Sequence, residues 1–290
     1  ATAMGHAWVT DSGNQPLPRT TYVGFSLTQA DVDRAINTLE SSDDEATTTD
    51  LDSAFADVLK VQSESDDDDE PIQETTGGVP CAAWRLAHCQ QPGSTDEDRV
   101  DAVTLTDSRA VLAAYDGHGG KEVVDSLRHT LPAFLSSALS FGTPTSALES
   151  AFSYADNIIV GTQPGTVGAC AAVVIVDNDA ITCANVGDVA VVLIQSSGAP
   201  VVLTPKHCKS NDEERKRVES SGAHWANGGR VNGVLRVSRA FGDGDFKGRK
   251  AVKAWKTAFS SDPVIAMPSI SVRKRSTSDA LVLVMTDGVV

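Results

Sequence analysis

Val111-Leu112-Ala113-Ala114-Tyr115 runs directly into Asp116-Gly117-His118-Gly119-Gly120, and Ala110 extends the apolar part backwards. An apolar run this short predicts a buried strand over 110–115. Chemistry-bearing side chains follow it at once. An aspartate at the end of a buried strand is a fixed oxygen ligand. Gly117, with no Cβ, leaves room for a metal ion or phosphate to reach the backbone. His118 projects into the same space, with a reference pKa suited to proton transfer near neutrality. Taken alone, the stretch also reads as a glycine-rich strand-to-helix turn carrying a surface histidine, and other parts of the chain must decide.

With 290 residues the chain can bury a sizeable core, as one large domain or as a domain with an appendage. Its net charge of -15 argues against nucleic acid or an anionic membrane as the main partner. Much of that charge lies in residues 40–70, so it says little about a catalytic surface. Residues 40–78 are rich in Ser, Thr, Asp and Glu, peaking at Asp66-Asp67-Asp68-Asp69-Glu70. Such a segment cannot bury enough apolar surface to order itself, which predicts a flexible acidic insertion. The spaced aspartates and closing glutamate of a calcium loop are absent from it. Residues 1–80 are expected to form an N-terminal extension, with a strand at 21–27, a short helix over 28–39 and a helical island at 53–61. The five cysteines (Cys81, Cys89, Cys170, Cys183, Cys208) are scattered and form no CxxC, as in a cytosolic or nuclear protein with reduced thiols. No apolar run is long enough to span a membrane.

From Cys81 onward the pattern is dense. Strands are expected at 84–90, 100–105 and 110–115, then helices over 121–139, split at Pro132, and over 145–160, opened by Thr145. Three apolar runs, 169–176, 180–186 and 189–194, predict an antiparallel meander. A charged helix at 212–221 ends at Gly222, and strands at 270–272 and 280–285 follow. Consecutive strands with paired helices predict an α+β fold, two antiparallel sheets packed as a sandwich with helices outside. Aspartates recur at strand ends: Glu97-Asp98, Asp116-Gly117, Gly187-Asp188 and Asp287-Gly288. One Asp-Gly is ordinary turn chemistry. Several at strand ends are the makings of an oxygen-rich site for Mg²⁺ or Mn²⁺.

Six stretches carry a family resemblance: Glu97-Asp98, AAYDGHGG (113–120), ANVGDVAVVL (184–193), LTPKHCKSNDEERKRV (203–218), RVNGVLRVSRAFGDGDFK (230–247) and LVLVMTDG (281–288). In this order they resemble the metal-dependent serine/threonine protein phosphatases of type 2C, over roughly 200 residues. The resemblance implies a catalytic domain over 81–290, hydrolysing phosphoserine and phosphothreonine in phosphoprotein substrates as a monomer. It implies that Asp116 bridges two Mn²⁺ or Mg²⁺ ions, that the Gly117 carbonyl binds one and Asp287 the other, and that Glu97 and Asp98 act through metal-bound water or its hydrogen bonds. Asp188 would help hold a third, weaker ion, and His118 would be the general acid. A serine alkoxide is a poor leaving group, so a positioned acid contributes roughly 10²–10⁴-fold.

The chain departs from the family pattern in places. Gly93 stands where relatives carry a phosphate-gripping arginine; if another basic residue serves the phosphate instead, Arg85 is the candidate. Gly168-Ala169-Cys170-Ala171 replaces Gly-Ser-Thr-Ala, Gly187-Asp188-Val189-Ala190 replaces Gly-Asp-Ser-Arg, and Lys206 replaces an aspartate. The missing arginine supports one alternative, a pseudophosphatase kept as a binding or scaffolding module, which the retained Asp116, His118 and Asp287 oppose. A central strand so close to Val290 predicts that the chain continues; by the resemblance, that continuation would supply a helix, at least one more strand and an Asp-Asn pair. His207-Cys208 followed by Arg215 imitates a cysteine-phosphatase loop, but six residues intervene, none is glycine and three are acidic. That imitation is rejected.

Overall fold

The computed structural model describes the backbone of residues 5–8 and 87–90, and residues 96–106 and 108–287. The predicted elements at 21–27, 28–39 and 53–61, the acidic segment 40–78, Arg85 and Gly93 lie outside the described residues.

Strands β1 (Gly5–Trp8), β2 (Ala87–Gln90), β3 (Asp98–Thr106) and β4 (Arg109–His118) lead into helices α1 (Glu122–Leu139) and α2 (Pro144–Thr162). Then come β5 (Gly168–Asp177), β6 (Ala180–Val186), β7 (Ala190–Gln195), β8 (Pro200–Val202) and α3 (Asp212–Ser220). The short strands β9 (Trp225–Ala226), β10 (Arg230–Val231) and β11 (Phe241–Gly242) precede α4 (Gly248–Trp255), β12 (Ser269–Lys274) and β13 (Asp279–Met285). One sheet has the order β12-β6-β5-β4-β3, with β11 added beside β5, and the other has β2-β1-β13-β7-β8. The strand pairings are antiparallel.

Strand periodicity explains the two layers of core. Along β4, Leu112 and Ala114 face the sandwich interior, where they join Val174, Val191 and Val282. Ala113 and Tyr115 face outward and pack with Leu127, Leu131 and Phe152 of α1 and α2. Small alanines on β4 and β5 let both layers approach the strand closely. The α+β sandwich with outer helices is thus present.

Four expectations need correcting. Helix α1 runs unbroken through Pro132, because burial of Leu127, Leu131 and Leu135 along one face outweighs the lost backbone bond. The α2 cap is Thr143, not Thr145: its hydroxyl accepts from the Ser146 N–H, and Pro144 opens the first turn. β4 continues to His118, pairing Asp116 with Cys170 and His118 with Gly168, and turns away only at Gly119, where φ is +75°. The meander is also broken: β6 belongs to one sheet, while β7 pairs with β13 and β8 in the other. Gly187, with φ +86° and its Cα packed on Cys170, makes that crossover, which a local pattern cannot announce. Among the described residues no helix is long and apolar enough to cross a membrane.

Candidate active site

Register and face together build the site. Asp98 of β3 pairs with Asp116 of β4, and Asp116 pairs with Cys170 of β5. All three share the face of Ala114, pointing inward at one end of the sandwich. The crossover after β6 brings Asp188 to the Cys170 thiol, which hydrogen-bonds its side chain. From the opposite sheet, β13 ends at Met285 and delivers Thr286 and Asp287. The buried Thr286 hydroxyl donates to Asp98 Oδ2 at 3.2 Å, tying the sheets together where the carboxylates meet. Arg99, on the other face of β3, binds Asp125 of α1 at 2.7 Å and so fixes the approach of Asp98.

Gly117 is needed for a reason other than open space. Its N–H donates to the Glu97 carbonyl at 3.1 Å, and a Cβ would lie 2.7 Å from that oxygen and 3.0 Å from Val124. Close backbone packing, which brings Glu97 against β4, demands the glycine.

The electrostatics show what this end of the molecule is short of. Burial, then the charges of Asp287, Asp98 and Asp188, push the Asp116 carboxyl well above the carboxylate range. Asp116 and Asp287 stand within hydrogen-bond reach of each other. Burial, with Asp287 and Glu97, also raises Asp98 against the Thr286 bond, and burial with Asp287 raises Asp188. Four converging carboxylates that cannot all ionise alone are a donor set for a hard divalent cation. Among the described residues no three such side chains already stand in ligating geometry, so the fit is one of chemistry and placement.

His118 lies beyond this cluster on the same strand. Burial pushes its pKa down, but the hydrogen bond and charge of Asp243, with Asp188 and Glu97, leave it above the ordinary value. His118 Nε2 and Asp243 Oδ2 are 2.8 Å apart. Both line a cleft of about 400 Å³ bordered by Thr166, Arg230, Phe246 and Trp255. The His207-Cys208 pair is elsewhere in kind. His207 is buried, with Nδ1 3.1 Å from the Gly187 backbone and Nε2 2.8 Å from Ser269 Oγ. It braces the crossover that carries Asp188.

Asp98, Asp116, Asp188 and Asp287 are therefore brought to one place, with Glu97, Gly117 and His118 around it. Sequence reasoning gave no role to Asp243, Thr286 or Cys170. An aspartate between Gly242 and Gly244 was the only signal for Asp243, and it reads as a turn.

The sandwich is a phosphatase 2C fold. It superposes on a Toxoplasma gondii serine-threonine phosphatase 2C with a TM-score of 0.52 at 16% identity, covering 66% of this chain and 73% of that one. The protein phosphatase 2C family model matches residues 84–290. Protein phosphatase 2C homolog 2 of Schizosaccharomyces pombe is 32% identical over 216 residues, covering 71% of this chain and 55% of the relative. Homolog 3 from the same yeast is 33% identical over 236 residues, with 76% and 55% covered. The chain belongs to the protein phosphatase 2C family. It spans about half the length of the curated relatives it matches.

Proposed function

We propose that this chain carries the catalytic site of a metal-dependent phosphatase acting on phosphoserine and phosphothreonine in proteins. The observation that carries it is the convergence of Asp98, Asp116, Asp188 and Asp287 from both sheets, with His118 on the same strand. Asp116 and Asp287 are the residues to hold Mn²⁺ or Mg²⁺ in common, with the Gly117 carbonyl beside them, Glu97 and Asp98 outside them and Asp188 toward a further ion. When bound, such cations supply the positive charge that clamps a phosphoryl group and acidify the water that attacks it.

The chain's own residues do the rest. Asp98, held by the Thr286 hydroxyl, accepts a hydrogen bond from the incoming water in this reading. The cleft beside His118 takes the peptide part of the substrate. His118 gives its proton to the serine or threonine oxygen as the bond to phosphorus breaks. A second function, binding without turnover, is favoured by Gly93 in place of the phosphate-gripping arginine. Phosphate release from a phosphoserine peptide, measured with Mn²⁺ and with EDTA, separates the two. Release that requires Mn²⁺ and falls by at least about 100-fold in Asp116→Ala is the expected result. A folded protein that binds the peptide and releases no phosphate would establish the binding module instead.

A further inference from the structure

Asp243 is built into the molecule with more constraint than a surface turn needs. Strand β5 begins at Gly168, which pairs with His118 of β4 on one side and Gly242 of β11 on the other. Asp243 follows immediately, so the ladder itself carries its carboxylate across Gly168 to the imidazole. A Cβ at Gly168 would lie 2.3 Å from Asp243 Oδ2 and 2.5 Å from His118 Nε2. The pair thus rests on a bare glycine that leaves no space for a side chain.

Three further anchors hold Asp243 in place. Its N–H donates to the Val167 carbonyl at 2.9 Å. The Gly242 N–H donates to Asp156 of α2 at 2.9 Å, and Lys247 Nζ binds both Asp156 oxygens at 2.8 and 2.9 Å. Asp243 itself adopts left-handed backbone angles, φ 46° and ψ 42°, uncommon for a residue with a side chain. Its residue exposure is 2%, yet its carboxylate meets the one histidine that lines the cleft. Strain and burial on this scale, aimed at one imidazole, indicate a functional constraint.

Resting on the phosphatase reading above, we propose that Asp243 is the positioning residue for His118. It accepts the Nε2–H hydrogen bond, fixes the ring plane and leaves Nδ1 as the nitrogen that delivers the proton. As water adds to phosphorus, the bond from phosphorus to the serine oxygen breaks and that oxygen takes the Nδ1 proton. Nε2–H stays with Asp243, and the ring recovers its proton from solvent. The products are a serine hydroxyl and inorganic phosphate. Asp243 therefore matters in proportion to how much the leaving oxygen needs a proton.

The test compares a phosphoserine peptide with p-nitrophenyl phosphate, whose leaving group needs little protonation. In Asp243→Asn, kcat on the peptide is expected to fall about 10- to 100-fold, with less than about 3-fold on the nitrophenyl ester. His118→Ala combined with Asp243→Asn is expected to be no slower than His118→Ala alone. Equal losses on both substrates, or additive losses in the double variant, would overturn the proposal. Nitrogen-15 NMR of the metal-free wild type at a pH where the ring is neutral gives a readout without turnover. Protonation of His118 at Nε2 is expected, and protonation at Nδ1 refutes the pairing. The spectrum also decides the matter if Asp243→Asn does not fold. A wild type that leaves the phosphoserine peptide intact would overturn the phosphatase reading, and with it the proton-delivery role, whereas the spectrum tests the pairing alone.

Discussion

At the scale of single residues, two buried ionisable groups hold the frame on which the site depends. Glu214 of α3 receives Arg239 at 2.6 Å, Arg217 at 2.9 Å and the Ser238 hydroxyl at 2.6 Å. Burial alone would raise its carboxyl, but these partners outweigh it and hold it at about 2. His207, braced against Gly187, is pushed down to about 4, first by burial and then by Arg239. The unfolded chain takes up a proton on histidine near 6.5, whereas folded His207 resists until about 4. Stability from this group is therefore full above 6.5 and lost as pH falls toward 4, by at most about 3 kcal/mol. Glu214 adds the same sign lower down, between 4.5 and 2. Urea unfolding of the metal-free protein at stepped pH is expected to show the upper loss, and His207→Gln is expected to flatten it. An identical decline in that variant would remove His207 as the cause. Asp243 shows the limit of residue-level reading, since its role exists only through Gly168 and a strand pairing distant in sequence.

Elements explain why some of the site was legible beforehand and some was not. Alternation and apolar runs located β3 through β7, β12 and β13, because strand burial writes itself into a period of two. Aspartates at the ends of those runs were visible for the same reason. What the runs could not show is which sheet each strand joins. β6 and β7 look alike in sequence, yet the Gly187-Asp188 turn between them crosses the sandwich and so sends Asp188 to Asp116. The continuation of β4 through Asp116-Gly117-His118 was likewise hidden, since polar residues inside a ladder resemble a turn. The packing of that extension gives a test. In Gly117→Ala the new methyl meets the Glu97 carbonyl at 2.7 Å, so β4 must shift from the β3 lead-in. A loss of about 1–3 kcal/mol in unfolding free energy is expected, with weaker Mn²⁺ binding by calorimetry. Wild-type stability and affinity together would show that Glu97 and β4 need not touch.

Over the whole molecule, the sandwich is closed at its carboxylate end by a hydroxyl bond and a cluster of like charges. Thr286 holds Asp98 across the two sheets, while burial and the charge of Asp287 raise Asp98, Asp116 and Asp188. A cation held there would draw on residues of β3, β4, the β6–β7 crossover and the end of β13, and so would favour the folded chain over the unfolded one. At a hundredfold excess over its dissociation constant, Mn²⁺ is expected to add about 2.7 kcal/mol, raising the melting temperature by about 5–10 °C. Chelation with EDTA is expected to reverse the rise, and a melting temperature indifferent to both would deny that the ion ties the sheets together. The central claim is that this end of the sandwich is a divalent-cation centre, and anomalous diffraction at the manganese edge tests it most directly. Crystals grown with Mn²⁺ are predicted to show anomalous density against the Asp116 and Asp287 carboxylates, absent in Asp116→Ala. Density confined to other acidic surfaces, with none against Asp116, would contradict the account.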